Sequence, residues 1–220
     1  MSVVIAILGA ESTGKTSLAI ALAEQIGALT GLRCTAVPEL LRAWCEREGR
    51  TPRPEEQAGI AASQTAAIDA AALDHDLVLC DTTALMTAIY SDYIFGDRSL
   101  IEAGQAFHRR CDLTLLTALD IEWEADGLQR EGPHVRPPID ALIRQALLDG
   151  DIAWSMVSGQ GQARIDAALD AITPLLLPAA PKPGLFTRLA ERQAAQPEWR
   201  WACDCDVPEC EHAAIMGPPP

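Results

Sequence analysis

The amino-acid sequence predicts an α/β fold in which five parallel strands form one sheet with helices on both of its faces. The first observation is an alternation of short apolar runs with longer segments of helical periodicity, which is typical of a parallel sheet covered on both sides. The second is a glycine-rich turn between the first apolar run and the first helical segment. The chain has 220 residues, which is enough for one such domain and a small appendage.

The predicted elements occur in the order that this fold requires. Strands are predicted at 3–8, 33–37, 77–80, 112–117 and 152–157, and helices at 14–26, 39–47, 55–73, 85–93, 99–110, 139–148 and 162–176. The stretch 120–138 contains glycines, three prolines and many charges, which predicts an irregular loop. Prolines become frequent from Pro174 onward. We therefore predict a core domain at 1–177, a proline-rich connector with a short helix at 178–196 and a tail at 197–220.

The turn after the first strand fits the pattern G-x-x-x-x-G-K-[ST] of a phosphate-binding loop. Its glycines let backbone N–H groups surround an anion, and the following helix adds the positive end of its dipole. We expect Lys15 to contact the β- and γ-phosphates of ATP or GTP, and Thr16 to bind Mg²⁺. An ordinary glycine-rich turn is the alternative, but the flanking strand and helix favour nucleotide binding. The predicted nucleotide contacts in this loop are Gly9, Glu11, Ser12, Thr13, Gly14, Lys15, Thr16 and Ser17.

A second chemical signal is an apolar strand that ends in a carboxylate, Leu-Val-Leu-Cys-Asp at 77–81. In a fold with a phosphate-binding loop such a strand lies beside the loop, so Asp81 would point at the metal, directly or through water. Asp81 could instead cap the next helix, because Thr82 and Thr83 follow it. The loop upstream favours the metal role.

The residue after Asp81 helps to predict what happens to the γ-phosphate. Many ATPases that activate water place a glutamate there, and this chain has Thr82. The chain contains no asparagine, which excludes both the Asn-Lys-x-Asp motif that reads guanine and an asparagine sensor of the γ-phosphate. Transfer to a small acceptor is therefore the better interpretation.

A carboxylate that is a candidate to position the acceptor hydroxyl follows the second strand. Glu39 comes after Val37 and Pro38, and the carboxyl ends of parallel strands face the ligand crevice of such folds. Arg42 lies one turn later on the same helix face. A surface ion pair between Glu39 and Arg42 is the alternative. Glu39 and Asp81 both stay candidates for the catalytic base, and all three side chains are candidates for binding the acceptor.

Phosphoryl transfer also needs exclusion of water and positive charge near the transferred group, which a flexible lid often supplies. The predicted loop 120–138 offers Arg130, His134 and Arg136, and Arg130 or Arg136 would close over the γ-phosphate. A merely solvated loop is the alternative. After the last strand, Ser158 and Gly159 begin a glycine-containing turn, followed by Arg164, that would let the backbone approach a purine base.

Composition narrows the class of protein. The net charge of −14, with acids and bases mixed along the chain, opposes nonspecific binding of nucleic acid or anionic membranes. No apolar run approaches the ~18 residues of a membrane span, and no basic leader precedes the first strand. We expect a cytoplasmic protein with a small-molecule substrate, and the oligomeric state stays open. The cysteines in predicted core elements fit free thiols of a reducing compartment; they are Cys34, Cys45, Cys80 and Cys111.

These motifs together carry a family resemblance over about residues 1–173. The segments that carry the resemblance are Gly-Ala-Glu-Ser-Thr-Gly-Lys-Thr-Ser-Leu at 9–18, Val-Pro-Glu at 37–39, the strand end Asp81-Thr82, Asp-Leu-Thr-Leu-Leu at 112–116, Glu122-Trp123 and Asp-Gly-Leu at 126–128. The chain resembles the ribosylnicotinamide kinase domain of NadR-type proteins, within the wider AAA-type nucleoside kinases. The resemblance implies ATP, Mg²⁺, transfer to the 5′-hydroxyl of nicotinamide riboside and arginines in the lid. The chain departs from the family pattern where Gln129 precedes Arg130, and where Leu40 and Leu41 replace aromatic residues.

The tail contains a separate cluster of candidate metal ligands. Cys203, Cys205, Cys210 and His212 supply three thiolates and an imidazole, the ligand set of a closed structural zinc site. The C-x-C pair is tighter than the usual spacing, so free thiols and a disulfide stay open as alternatives.

The sequence thus predicts an ATP-dependent kinase of a nucleoside-like small molecule, with nicotinamide riboside as the leading acceptor. The competing hypothesis is a regulatory ATP-binding switch whose tail contacts a partner protein and which phosphorylates nothing.

Overall fold

The structure, a computed structural model, describes residues 2–124 and 132–176. Its sheet has five parallel strands in the order β2-β3-β1-β4-β5. The strands are β1 (Val3–Leu8), β2 (Cys34–Val37), β3 (Leu77–Asp81), β4 (Leu113–Thr117) and β5 (Ser155–Val157). The helices are α1 (Lys15–Thr30), α2 (Leu40–Glu48), α3 (Pro54–Asp74), α4 (Ala84–Phe95), α5 (Ile101–His108), α6 (Arg136–Asp149) and α7 (Gln162–Leu176). The predicted fold class is therefore confirmed.

Apolar residues cover both faces of the sheet, as its continuous apolar strands require. On one face Ile5 and Ile7 pack with Leu22 of α1 and Ile172 of α7. On the other face, Leu8 belongs to a core cluster with residues of α4 and α6. β1 pairs with β3 on one side and with β4 on the other, so the turn after β1 lies at the centre of the sheet edge.

Several predicted boundaries were wrong. The first helix, predicted to end at residue 26, continues to Thr30, where Gly31 in the left-handed conformation ends it. The loop predicted at 120–138 does not reach residue 138, because a 3₁₀ helix spans Pro133–Val135 and α6 begins at Arg136. Pro137 and Pro138 suit the first helical turn, where backbone N–H groups have no partner within the helix. The strand predicted at 152–157 comprises only Ser155–Val157, because the Ile152 N–H donates to Leu147 O at 2.9 Å and so completes the end of α6.

Several predictions concern parts of the chain outside the described residues. They include Arg130, the connector at 178–196 and the tail with Cys203, Cys205, Cys210 and His212. Within the described residues, no helix is long and apolar enough to span a membrane. The four described cysteines are free thiols, and burial raises the pKa of Cys111 to about 12.

One buried histidine ties the end of α5 to the sheet. The His108 ring lies 3.0 Å from Thr83 Oγ1 through Nδ1 and 2.8 Å from Thr114 Oγ1 through Nε2. Burial lowers the pKa of His108 from 6.5 to about 4. The neutral ring therefore connects the turn after β3 with β4.

This histidine predicts a pH dependence of stability. Between pH 6.5 and pH 4 the unfolded chain binds a proton that the folded chain excludes, so the free energy of unfolding falls as the pH falls through this range. The loss attributable to His108 is at most about 3 kcal/mol. Urea unfolding across this pH range should show a smaller loss in His108→Gln than in the unaltered chain. Equal losses in both would contradict the prediction, and His134→Gln, at an exposed site, is the matched control.

Candidate active site

The turn after β1 is a tightly packed phosphate-binding loop. Gly9 has φ 156°, and a Cβ at this position would collide with the Thr117 hydroxyl. Thr13 donates to Ala10 O at 2.9 Å, and its Oγ1 lies 2.7 Å from Thr117 Oγ1. Gly14 has φ 73° directly before α1 begins, a conformation that favours glycine. The loop backbone is thus held in place by β4 as well as by its own glycines.

Lys15 and Thr16 are the last residues of this loop and the first residues of α1. The Lys15 Nζ donates to Ala10 O at 2.8 Å, and Thr16 Oγ1 donates to Asp81 Oδ2 at 2.5 Å. Asp81 is the last residue of β3 and is 2% exposed. The capping alternative for Asp81 is wrong, because the Thr83 side chain accepts from Leu85 N and caps α4.

The Thr16–Asp81 pair has the composition of a Mg²⁺ site. The second carboxylate oxygen, Asp81 Oδ1, is buried and has no hydrogen-bond partner among the described residues. A hydroxyl and a carboxylate are oxygen ligands of the kind that Mg²⁺ prefers when it also binds phosphates and water. The donor set therefore fits the metal that the sequence predicted.

Glu39 lies where β2 ends and α2 begins, and its side chain is 18% exposed. The buried Gln64 of α3 holds the backbone on both sides of it, donating to Pro38 O at 3.2 Å and accepting from Leu40 N at 2.8 Å. Arg42 Nη2 is 3.9 Å from Glu39 Oε2, longer than a hydrogen bond. The ion pair that was the alternative is therefore present but loose, and both residues line the same cleft as the phosphate-binding loop.

The segment after β4 passes over this loop. The Glu124 N–H donates to Ser12 Oγ at 2.9 Å, and Arg136 Nη1 donates to Ile121 O at 2.8 Å. Arg136 is only 7% exposed, so in this structure it anchors the start of the segment from the first turn of α6. The sequence predicted Arg136 on a mobile loop, and its position in a helix corrects that prediction.

Arg164 of α7 connects three parts of the site. It is 4% exposed and donates to Thr13 O at 2.9 Å, to Gly159 O at 2.7 Å and to Asp120 Oδ1 at 2.8 Å. Partial burial opposes ionisation of Asp120, but the hydrogen bonds from Arg164 and from Gly159 N outweigh it and lower the pKa of this carboxyl. Among the described residues that line the cleft are Gly161 but neither Ser158 nor Gly159, the two that the sequence analysis named for the approach to a base.

This arrangement predicts that Arg164 stabilises the fold strongly. Arg164→Lys cannot reach all of these acceptors, and it leaves Asp120 without its guanidinium partner. We expect a loss of about 3 kcal/mol in the free energy of unfolding, measured by urea denaturation. Arg144→Lys is the matched control, since its pair with Asp140 lies within one helix and is part exposed, and should cost less than about 1 kcal/mol. Similar losses in the two variants would contradict this role.

The cleft has a volume of about 1250 Å³ and extends from the phosphate-binding loop to the connection between α2 and α3. The residues of that connection and of the first turn of α3 that line it are Arg50, Thr51, Pro52, Arg53 and Gln57. Aromatic and apolar residues of α4 line it as well, namely Met86, Tyr90, Tyr93, Ile94 and Phe95. Aromatic residues therefore line the cleft, on a helix that the sequence analysis did not assign to the site.

The fold and this site define a P-loop protein with a nucleotide-kinase-like core. The sequence of residues 4–164 matches the AAA domain family. The chain belongs to that family, in agreement with the resemblance found from its motifs. A comparison with curated proteins finds no match.

Solved structures with a similar fold include two of NadR protein. One, in complex with NR, has a TM-score of 0.63 at 20% identity and covers 79% of this chain and 50% of NadR. The other, in complex with NAD and AMP-PNP, has a TM-score of 0.58 at 20% identity. That match covers 77% of this chain and 49% of the NadR chain. Thymidylate kinase from Ehrlichia chaffeensis has a TM-score of 0.56 at 16% identity, with 79% and 98% covered. The chain thus spans about half the length of the NadR chains, and these structures show the fold.

Proposed function

We propose that this protein transfers the γ-phosphate of ATP to a hydroxyl of a nucleoside-like small molecule, with the 5′-hydroxyl of nicotinamide riboside as the leading acceptor. The supporting observation is one continuous cleft. The phosphate-binding loop, Glu39 and aromatic residues of α4 all line it. A donor nucleotide and a flat acceptor have separate places in such a cleft.

Each part of the site has a role in this reaction. The loop amides and Lys15 hold the phosphates, and Thr16 and Asp81 would hold Mg²⁺, which neutralises phosphate charge when bound. Glu39 or Asp81 accepts the proton of the attacking hydroxyl. Arg130 remains the candidate to cover the γ-phosphate when the segment after β4 closes and excludes water, because Arg136 is held in α6 by its hydrogen bond to Ile121 O. Transfer, rather than hydrolysis, is favoured because Thr82 follows Asp81 and has no carboxylate to activate water.

The choice of acceptor rests on the motifs and on the likeness to NadR in complex with NR. A panel of nucleosides that includes nicotinamide riboside, assayed for ADP formation, tests it. We expect ATP consumption in proportion to added acceptor, with nicotinamide riboside among the best. Slow ADP formation that no nucleoside changes would instead support the regulatory switch.

We further propose a structural zinc ion in the tail, held by Cys203, Cys205, Cys210 and His212. The four-ligand composition supports this, and metal binding would supply the folding energy of so short a segment. Elemental analysis of protein purified without added metal should find about one zinc per chain. Its retention in a Cys203→Ser/Cys210→Ser variant, or its absence from fully reduced protein, would reject the site.

A further inference from the structure

A buried glutamine lines the cleft, and its side-chain oxygen has no hydrogen-bond partner among the described residues. Gln57 of α3 is 2% exposed, and its Oε1 is fully buried and accepts no hydrogen bond from the described residues. The side chain contributes to the lining of the cleft. A buried amide that lacks hydrogen bonds costs free energy, and such groups usually have a partner that is part of their function.

The same helix shows what an ordinary buried glutamine does. Gln64 is also 2% exposed and lies two turns further along α3, so the two side chains share a face. Both polar atoms of the Gln64 side-chain amide form hydrogen bonds with the backbone on either side of Glu39. The Gln57 side-chain oxygen accepts no such hydrogen bond from the described residues, although α3 is rich in alanine and an apolar residue would fill this position at lower cost.

The spacing of the two glutamines fits the length of a nucleoside. Seven residues of an α-helix rise roughly 10 Å, so Gln57 is displaced by about that distance along α3 from the group that positions Glu39. A nucleoside whose 5′-hydroxyl lies near Glu39 would bring the far edge of its base close to Gln57. Tyr90 and Tyr93 line the same cleft, and aromatic side chains stack favourably on flat rings.

We propose that Gln57 determines acceptor specificity by pairing its amide with an edge that both donates and accepts hydrogen bonds. The acceptor class is a flat ring with a primary carboxamide, or a nucleobase with an adjacent N–H and C=O. An amide meets such an edge with two reciprocal hydrogen bonds, whereas a carboxylate offers acceptors only and leaves Gln57 Oε1 unpaired. This inference rests on the proposed kinase function and specifies its substrate class.

The test compares ligands that differ only at this edge, in binding and in turnover. Nicotinamide riboside against nicotinic acid riboside probes a carboxamide, and uridine against its N3-methyl derivative probes a nucleobase edge. Calorimetry with a nonhydrolysable ATP analogue present measures affinity without requiring catalysis. We expect the matching pair to differ by at least tenfold in favour of the unmodified edge. In Gln57→Leu this affinity ratio should fall to near one, because only the ligand with the unmodified edge should lose affinity.

Matched variants separate this role from packing. Gln57→Glu keeps the side-chain size and a hydrogen-bond acceptor but removes the N–H donor. It should reduce the same affinity ratio while the chain stays folded. Gln145→Leu alters an exposed glutamine of α6 that bonds Asp149, and should leave the ratio unchanged. Ratios near one for both ligand pairs in the unaltered protein, or an unchanged ratio in both Gln57 variants, would overturn the inference. Binding with the expected ratio but without ADP formation would refute the kinase function and leave the inference standing.

Discussion

Lys15→Ala should reduce kcat/KM for phosphoryl transfer by about 10²- to 10³-fold, or about 3–4 kcal/mol of transition-state stabilisation. Lys15 is the only positively charged residue among residues 9–17, which comprise the loop and the start of α1. Its Nζ donates to Ala10 O, so its replacement removes one hydrogen bond from the fold, worth about 1 kcal/mol. The variant should therefore stay folded while losing activity.

Kinetics of purified Lys15→Ala, with circular dichroism to confirm its fold, check this expectation. Arg47→Ala is the matched control because it removes an exposed cation that pairs with Glu48 and lies outside the cleft. That control should retain full activity. Unchanged turnover in Lys15→Ala would show that this loop does not bind the transferred phosphate.

Asp81→Asn and Glu39→Gln should each slow transfer more than tenfold and should differ in their response to Mg²⁺. Asp81 contacts Thr16 in the predicted metal site, so weakened metal binding should be partly relieved by excess Mg²⁺. Glu39 lines the cleft and its backbone is held by Gln64. If Glu39 is the base, excess metal cannot restore proton transfer.

Initial rates of both variants across a Mg²⁺ titration distinguish the two roles. Relief in Asp81→Asn alone assigns Asp81 to the metal and Glu39 to the acceptor. Relief in neither variant, with both slowed, would leave Asp81 as a candidate base. Less than a tenfold effect in both would show that neither carboxylate has its proposed role.

The parts of the site that the sequence predicted are those encoded by short motifs. The loop from Gly9 to Thr16 needs glycines at fixed positions for its backbone shape, and an apolar strand that ends in Asp81 brings a carboxylate beside it. Glu39 follows from the rule that ligands bind at the carboxyl ends of parallel strands. Each of these signals lies within a few residues of chain, so no tertiary information was needed.

The parts that were missed depend on contacts between distant residues. Arg164 bonds the carbonyl of Thr13 across 151 positions of chain, and Gln64 bonds Leu40 across 24. A glutamine in an alanine-rich helix has no local pattern that distinguishes a structural clamp from a ligand contact or an exposed side chain. Arg136 was misplaced for a related reason, because prolines that begin a helix resemble prolines that interrupt one.

The fate of the γ-phosphate tests the central claim most directly. ATP labelled with ¹⁸O in its γ-phosphate is incubated with the protein, Mg²⁺ and nicotinamide riboside. The products are then separated and analysed by mass spectrometry. The proposed function predicts that the label appears in a phosphorylated riboside, in amounts equal to the ADP formed, and that Lys15→Ala forms neither. Label found only in inorganic phosphate, at a rate that neither the riboside nor any other nucleoside of the panel changes, would contradict it.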